Sequence, residues 1–316
     1  MDRKPLISLI VPVFNEEDNV IPFYDAVAPI TAQLSDRYDF EFVFTDNHST
    51  DKTPELLSTL ARSDARIRAY RFSRNFGYQR SILTAYLKCT GDAAIQLDCD
   101  LQDPPELIPA FVQHWLDGAD VVYGIRKTRL EGWRWRYARR IFYWLVDFLS
   151  EDPIPRDAGD FRLISRRVIE ELRSIDDSKP YLRGTIATLG FKQVGVDYDR
   201  RARVIGNTKF SIYDNVMLAL DGIVNQSVVP LRVATYIGVT VSFLTVIAIL
   251  GYLIAYFTTG FRAPAGFTTT TVLILGSLSI NAMLLGILGE YLGRMYLQMK
   301  KTSLSIVERE LHRNEP

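Results

Sequence analysis

Glycine-rich phosphate loops are missing from this chain. No G-x-G-x-x-G follows the first apolar run and no G-x-x-x-x-G-K-S/T occurs anywhere, which excludes a dinucleotide dehydrogenase and a P-loop nucleotidase. Cysteine is scarce: Cys89 and Cys99 are the only two in 316 residues. They form no disulfide framework, and reduced thiols in a cytosolic compartment are the simplest reading. Cys99 stands between two aspartates and is expected to fill the core from the opposite face of a strand. Excess charge of either sign is also lacking. The 37 basic and 37 acidic side chains cancel, so the chain has no overall attraction to nucleic acid and any electrostatic partner must be local. The N-terminal apolar run is short, broken by Pro12, and lacks a small-residue cleavage site, so a signal peptide is not expected. No internal repeat or low-complexity tract stands out.

What is present is an alternation of two periods over the first 125 residues. Strands are expected at Leu6–Val13, Phe40–Thr45, Ile67–Phe72, Ala93–Asp98 and Asp120–Ile125. Helices are expected near Glu17–Leu34, Thr53–Arg62, Gly77–Cys89 and Pro104–Trp115. Such alternation predicts an α/β fold with a doubly wound, mostly parallel sheet. Ligands of these sheets bind outside the carboxyl ends of the strands. The polar clusters "PVFNEE", "TDNHSTD", "SRNFG" and "DCDLQD" all fall there.

The last of these crowds Asp98, Asp100 and Asp103 where an apolar run stops. Asp98 and Asp100 share one side if the extended conformation persists. Two carboxylates so close repel unless a cation sits between them. Hard oxygen ligands suit Mg²⁺ or Mn²⁺, with Gln102 able to add a carbonyl oxygen; turn chemistry at a strand end is the plainer alternative. Asp103, by contrast, reads as a helix N-cap in "DPPE", with Glu106 completing a capping box.

Two further regions differ in character. Seven basic residues lie between 126 and 140 against one acid, Glu131, and Arg134, Arg136, Arg139 and Arg140 are interleaved with Trp133, Trp135, Phe142, Tyr143, Trp144 and Leu145. The stretch near 133–150 is expected to lie on a headgroup layer, or else to be an ordinary surface helix. Residues 210–229 read as a second amphipathic, interfacial segment. Val233–Phe257 and Thr268–Gly289 carry no charge, and each exceeds the roughly 18–20 residues that cross a bilayer. They predict a two-helix transmembrane hairpin within 230–296 (spans about 233–257 and 268–292), after a domain over 1–209 and before a tail at 297–316. Arg232, Arg294, Lys300 and Lys301 flank the outer ends, so the catalytic domain and both termini are expected to be cytoplasmic. Gly286, Gly289 and Gly293 permit close helix contact, within the hairpin or in a homo-oligomer. The charged tail is expected to pack on another protomer or to be solvated.

Taken in order, "SLIVPVFNEEDNV", "FTDNHSTDKT", "RNFGYQRSI" and "LDCDLQDPPELI" resemble the GT-A family 2 glycosyltransferases. With "GDFRLISRRV", "RVIGNTKFS" and the terminal hairpin, the chain is similar to their polyprenyl-phosphate branch, the bacterial GtrB type related to dolichol-phosphate mannose synthase. The resemblance implies that Pro12, Asn15, Glu17, Asp46, Asn75, Asp98 and Lys209 bind a nucleotide diphosphate sugar. It implies a metal on Asp98, Asp100 and Gln102. Arg126, Arg139, Arg140 and Arg203 are then the candidates for the acceptor phosphate. The chain departs from the family's D-D-G-S at Asn47 and His48, and His48 reads as a pocket wall. His114 and His312 receive no role. Asp100 and Asp157 are the expected catalytic carboxylates; Asp157 and Asp160 in "RDAGDFRL" are placed to orient the acceptor or the sugar, with Asp157 as base, orienting group or turn residue beside Gly159. Family 2 enzymes invert the anomeric carbon, and a phosphate acceptor with its second pKa near ~6 needs no obligatory base. The expected reaction is transfer of a hexose, UDP-glucose being the first expectation, to undecaprenyl phosphate in the bacterial inner membrane. A processive polysaccharide synthase is the first alternative, but its Q-x-x-R-W motif is not found. A non-catalytic membrane adaptor is the second.

Overall fold

The computed structural model describes residues 3–126, 158–175, 180–201, 266–299 and 304–311, with scattered residues between 236 and 258. Its centre is a run of parallel strands: β1 (Leu6–Val13), β2 (Asp39–Asp46), β3 (Ile67–Phe72) and β4 (Ala93–Gln96). β1 pairs in parallel with both β2 and β4, and β2 with β3. These strands are covered on both faces, which is why "LISLIVPV" is apolar almost throughout instead of alternating. Ile7, Leu9, Val11 and Val13 pack with α1 (Val20–Gln33), α2 (Thr53–Ser63) and α4 (Ile108–Leu116). On the other face, Ile10, Val43 and Tyr70 meet α3 (Tyr78–Lys88), α5 (Arg166–Ser174) and α6 (Leu182–Thr188).

The sheet has eight strands in the order β7-β5-β6-β4-β1-β2-β3-β8. The additional strands are β5 (Val121–Arg126), β6 (Ala158–Ser165), β7 (Gln193–Tyr198) and β8 (Val307–Leu311). β6 runs antiparallel to β4 and β5, and β8 antiparallel to β3, so the sheet is mixed. The chain moves outward from β1 through β2 to β3, then returns to place β4 on the far side of β1. That reversal opens a crevice at the carboxyl ends of β1 and β4, the position where such sheets take ligands.

Three expectations change here. β4 ends at Gln96, and Cys99 and Asp100 lie in a turn. Strand alternation therefore does not set the directions of Asp98 and Asp100; Leu101, with φ 54°, closes a tight reversal instead. The capping box at Asp103 does not form. The residue before the short 3-10 turn at Pro105–Leu107 is Pro104, with no side-chain cap. Asp103 is 2 % exposed and takes a hydrogen bond from the Tyr198 hydroxyl, while exposed Glu106 pairs with Arg201 at 3.1 Å. Two prolines in succession leave the turn few amides to cap. Finally, residues 307–311 of the tail form β8 on the edge of the chain's own sheet, with Glu308 and Arg309 exposed.

α7 (Phe267–Met299) covers the second expected span and leaves large apolar side chains such as Leu273, Ile274 and Leu278 exposed. Among the described residues no helix is long and apolar enough to cross a membrane. The interfacial stretches near 133–150 and 210–229 lie outside the described residues, as does much of 233–257.

Candidate active site

The loops at the carboxyl ends of the four parallel strands each contain one residue in the left-handed region. They are Asn15 (φ 54°), His48 (φ 65°), Gly77 (φ 93°) and Leu101 (φ 54°). A non-glycine residue there carries strain that the surroundings must hold in place, and such strain gathers at functional sites.

What holds them is a series of hydrogen bonds from loop to loop. The Asn15 amide donates to Ser49 Oγ at 2.9 Å, and its Oδ1 accepts from the Thr50 amide at 2.8 Å. Glu17 Oε2 accepts from the Lys52 amide at 3.0 Å. Asn47 Nδ2 donates to Asn75 Oδ1 at 2.8 Å while its Oδ1 accepts from the Phe76 amide at 2.8 Å. An aspartate at 47 could accept that second bond but not donate the first, which accounts for one departure from the family pattern. His48 accounts for the other. Its backbone takes the conformation in which glycine is strain-free, and its ring Nδ1 donates to the Phe72 carbonyl at 2.9 Å. Tyr78 extends the series to β4 by donating to Asp98 Oδ1 at 2.6 Å.

Within this frame Pro12 is buried in β1, and Asn75 and Glu17 are exposed. Asp46 is 1 % exposed, accepts from the Ser49 amide at 2.9 Å, and faces Arg71 at 3.3 Å. Burial raises its carboxyl pKa, and Ser49 and Arg71 oppose that shift. Asp98 lies just past β4. Burial chiefly, and then the charges of Asp103, Asp160 and Asp100, push it up to about 7 against the Tyr78 hydrogen bond. Asp100 is 6 % exposed, and its Oδ1 accepts from the Gln102 amide at 3.1 Å. The Gln102 carbonyl in turn accepts from the Arg201 amide at 3.0 Å.

Arg126 ends β5, donates to the Tyr198 hydroxyl at 3.1 Å, and pairs with Asp103 at 3.6 Å. Its guanidinium crosses the backbone of Gly159, where a Cβ would stand 2.9 Å from Nη2. Glycine at 159 therefore gives Arg126 its room, beside the segment that carries Asp157. Asp157, Arg139, Arg140, Arg203 and Lys209 lie outside the described residues.

Asp160, expected with Asp157 to orient the acceptor or the sugar, instead lies in a buried polar layer behind Asp98, whose arginines sequence reasoning missed. Asp160 takes two bonds from Arg183, at 2.9 and 2.6 Å. Arg162 is 5 % exposed and donates to the Gly159 carbonyl at 2.8 Å. The alternation of "GDFRLIS" contained the signal, since Asp160 and Arg162 share a face with Ile164.

Among the described residues no group of three or more histidine, cysteine or acidic side chains could hold a metal. Mg²⁺ and Mn²⁺ do not require one: they bind through one or two carboxylates together with waters and substrate phosphates. Two neighbouring carboxylates, half-buried Asp98 and buried Asp100, fit a cation of that kind.

Strained loops stitched together at the carboxyl ends of the parallel strands, beside Asp98 and Asp100, mark the ligand-binding end of an open α/β enzyme sheet. The chain belongs to glycosyl transferase family 2, whose model matches residues 8–173. It is similar to the prophage bactoprenol glucosyl transferase homolog of Escherichia coli, 38% identical over 305 residues, covering 96% of this chain and 98% of the relative. It is likewise 36% identical over 312 residues to the bactoprenol glucosyl transferase of Shigella phage SfII, covering 98% and 99%. Among solved structures, a mannosyltransferase from Pyrobaculum calidifontis aligns over 92% of this chain and 88% of that one. The two are 15% identical, with a TM-score of 0.48.

Proposed function

We propose that this glycosyltransferase moves a hexose, with inversion, from a nucleotide diphosphate sugar to a polyprenyl phosphate. UDP-glucose is the first choice of donor and undecaprenyl phosphate of acceptor. One observation carries the reading: Asp98 and Asp100 stand at the switch-point crevice between β1 and β4, where a diphosphate would lie. The relatives named as bactoprenol glucosyl transferases support the acceptor.

In the proposed chemistry Asp98 and Asp100 hold Mg²⁺ or Mn²⁺, with Gln102 as a further oxygen donor. When bound, the cation supplies charge stabilisation to the departing diphosphate. The stitched loops carrying Pro12, Asn15, Glu17, Asp46 and Asn75 fix the nucleotide, and Lys209 neutralises the leaving group. Arg126, Arg139, Arg140 and Arg203 seat the acceptor phosphate, whose oxygen attacks opposite the leaving group. Since that phosphate is already mostly ionised at neutral pH, Asp157 orients the substrates and need not remove a proton. Asp157→Asn is therefore expected to lower kcat only a few-fold. Near-complete loss with intact donor binding would mean that a base is required.

We place the chain in the bacterial inner membrane, with the catalytic domain and both termini cytoplasmic. The charge-free runs and their basic flanks support this. So does connectivity. β8 begins opposite Phe72, at the carboxyl end of β3, and the eight steps from Met299 to Val307 can bridge no more than ~29 Å. This tether lets the end of α7 sit on the side of the sheet where the carboxyl ends of the parallel strands lie, which suits a lipid acceptor.

The test is a panel of sugar nucleotides supplied with undecaprenyl or dolichyl phosphate, scored for nucleoside diphosphate release and glycolipid formation. Donor- and metal-dependent glycolipid with inverted configuration is expected. Full activity in an Asp98→Ala, Asp100→Ala double variant would overturn the reading.

A further inference from the structure

Gln96 is the last residue of β4 and is fully buried. Its Nε2 donates to Asp98 Oδ1 at 3.0 Å and reaches the Tyr78 hydroxyl at 3.3 Å. The other end of the same amide, Oε1, is buried with no hydrogen-bond partner among the described residues. An orphaned buried acceptor of this kind is destabilising. Ala94, two residues back on the same face, shows that a small apolar side chain fits this layer. Turning the amide over would set Oε1 against the Asp98 carboxylate, so the chemistry fixes its orientation. Both donors, Tyr78 Oη and Gln96 Nε2, grip the same oxygen. Among the described residues Asp98 Oδ2 takes no hydrogen bond.

We propose that Tyr78 and Gln96 are positioning residues that clamp the Asp98 carboxylate through Oδ1 and thereby present Oδ2 to the divalent cation. The inference rests on the metal reading above and extends it to two side chains that never touch the cation. Tyr78 comes from the first turn of α3, after Gly77 at φ 93°. Gln96 comes from the strand. The clamp thus ties the carboxylate to a helix and to the sheet, and fixes it before the nucleotide arrives. Groups that hold a metal-binding carboxylate in this way set its direction, and losing them costs roughly 10–100-fold in metal affinity. Tyr86, two turns along the same helix, is the natural control. Its hydroxyl is buried without a partner among the described residues, so removing it deletes the same atom from the same element without touching the clamp.

The experiment is Mn²⁺ titration of the full-length protein, in the presence of UDP, followed by the electron paramagnetic resonance of free and bound Mn²⁺. Tyr78→Phe and Gln96→Met are expected to weaken Mn²⁺ binding about tenfold each and to alter the bound signal. Tyr86→Phe should match the wild type, and Asp98→Asn should lose the site. If Asp98→Asn loses the site while Tyr78→Phe and Gln96→Met bind Mn²⁺ as the wild type does, the clamp is refuted and the metal reading stands. If Asp98→Asn leaves Mn²⁺ binding intact, both are refuted. Equal weakening in Tyr86→Phe would show a general loosening of α3 and would also overturn the proposal.

Discussion

His48 is a residue whose backbone explains its neighbours. At φ 65° a β-branched side chain is a strong outlier, whereas glycine is not. His48→Val is expected to destabilise the fold by about 1–3 kcal/mol relative to His48→Gly, read from urea midpoints. Asp160 is a second test at this scale. Burial alone would raise its pKa, but Arg183 above all, then Arg162 and Arg126, outweigh burial and hold it at about 2. A depressed carboxyl stabilises the fold above its ordinary pKa near 3.8, and that stabilisation disappears as pH falls through about 2. The wild type should therefore lose stability between roughly pH 4 and pH 2, and Asp160→Asn should lack this component. At neutral pH the variant leaves Arg183 without its partner. Since Arg183 keeps about a third of its side chain exposed, the loss belongs at the lower end, about 3 kcal/mol. Asp98 and Asp100 were legible in the sequence because like charges at a strand end demand a reason. Tyr78 and Gln96 were not, because a tyrosine in a helix and a glutamine in an apolar strand are ordinary until their distances are known.

Elements divide in the same way. β1 to β5 and their helices were legible because each apolar run is long enough to be covered by its neighbours. β6 was hidden by Asp160 and Arg162, whose burial depends on partners far along the chain. β7 is partly exposed along much of its length and so lacks a hydrophobic signature. β8, "VEREL", resembles a solvated stretch, and only its antiparallel pairing with β3 makes it a strand. Ser305, just before it, reaches Thr84 on α3 at 2.8 Å, and Glu310 faces Lys88 at 3.6 Å. Removing residues 304–316 should uncover the row of amides and carbonyls on β3 and promote self-association. Light scattering against concentration checks this, and a truncated protein as monodisperse as the full chain would count against β8 as an edge cover.

For the whole molecule, the crevice and its carboxylates belong to the first half of the sheet, and that half was readable from local patterns. The acceptor side depends on segments whose meaning comes from their surroundings: basic aromatic stretches and charge-free runs. We expect the full chain to sediment with bacterial membranes and to be released by detergent but not by high salt. Release by salt alone would indicate electrostatic attachment without a spanning hairpin.

The position of β8 also fixes an order of events in the cell. Phe72 leaves the ribosome long before Val307, the residue it pairs with, has been translated. At roughly 5–20 residues per second, the nascent domain waits some tens of seconds with one flank bare. Chaperones have that interval in which to bind it. β8 closes the sheet only after all the other strands have been made, so a chain lacking it would have its carboxylates but not its finished border.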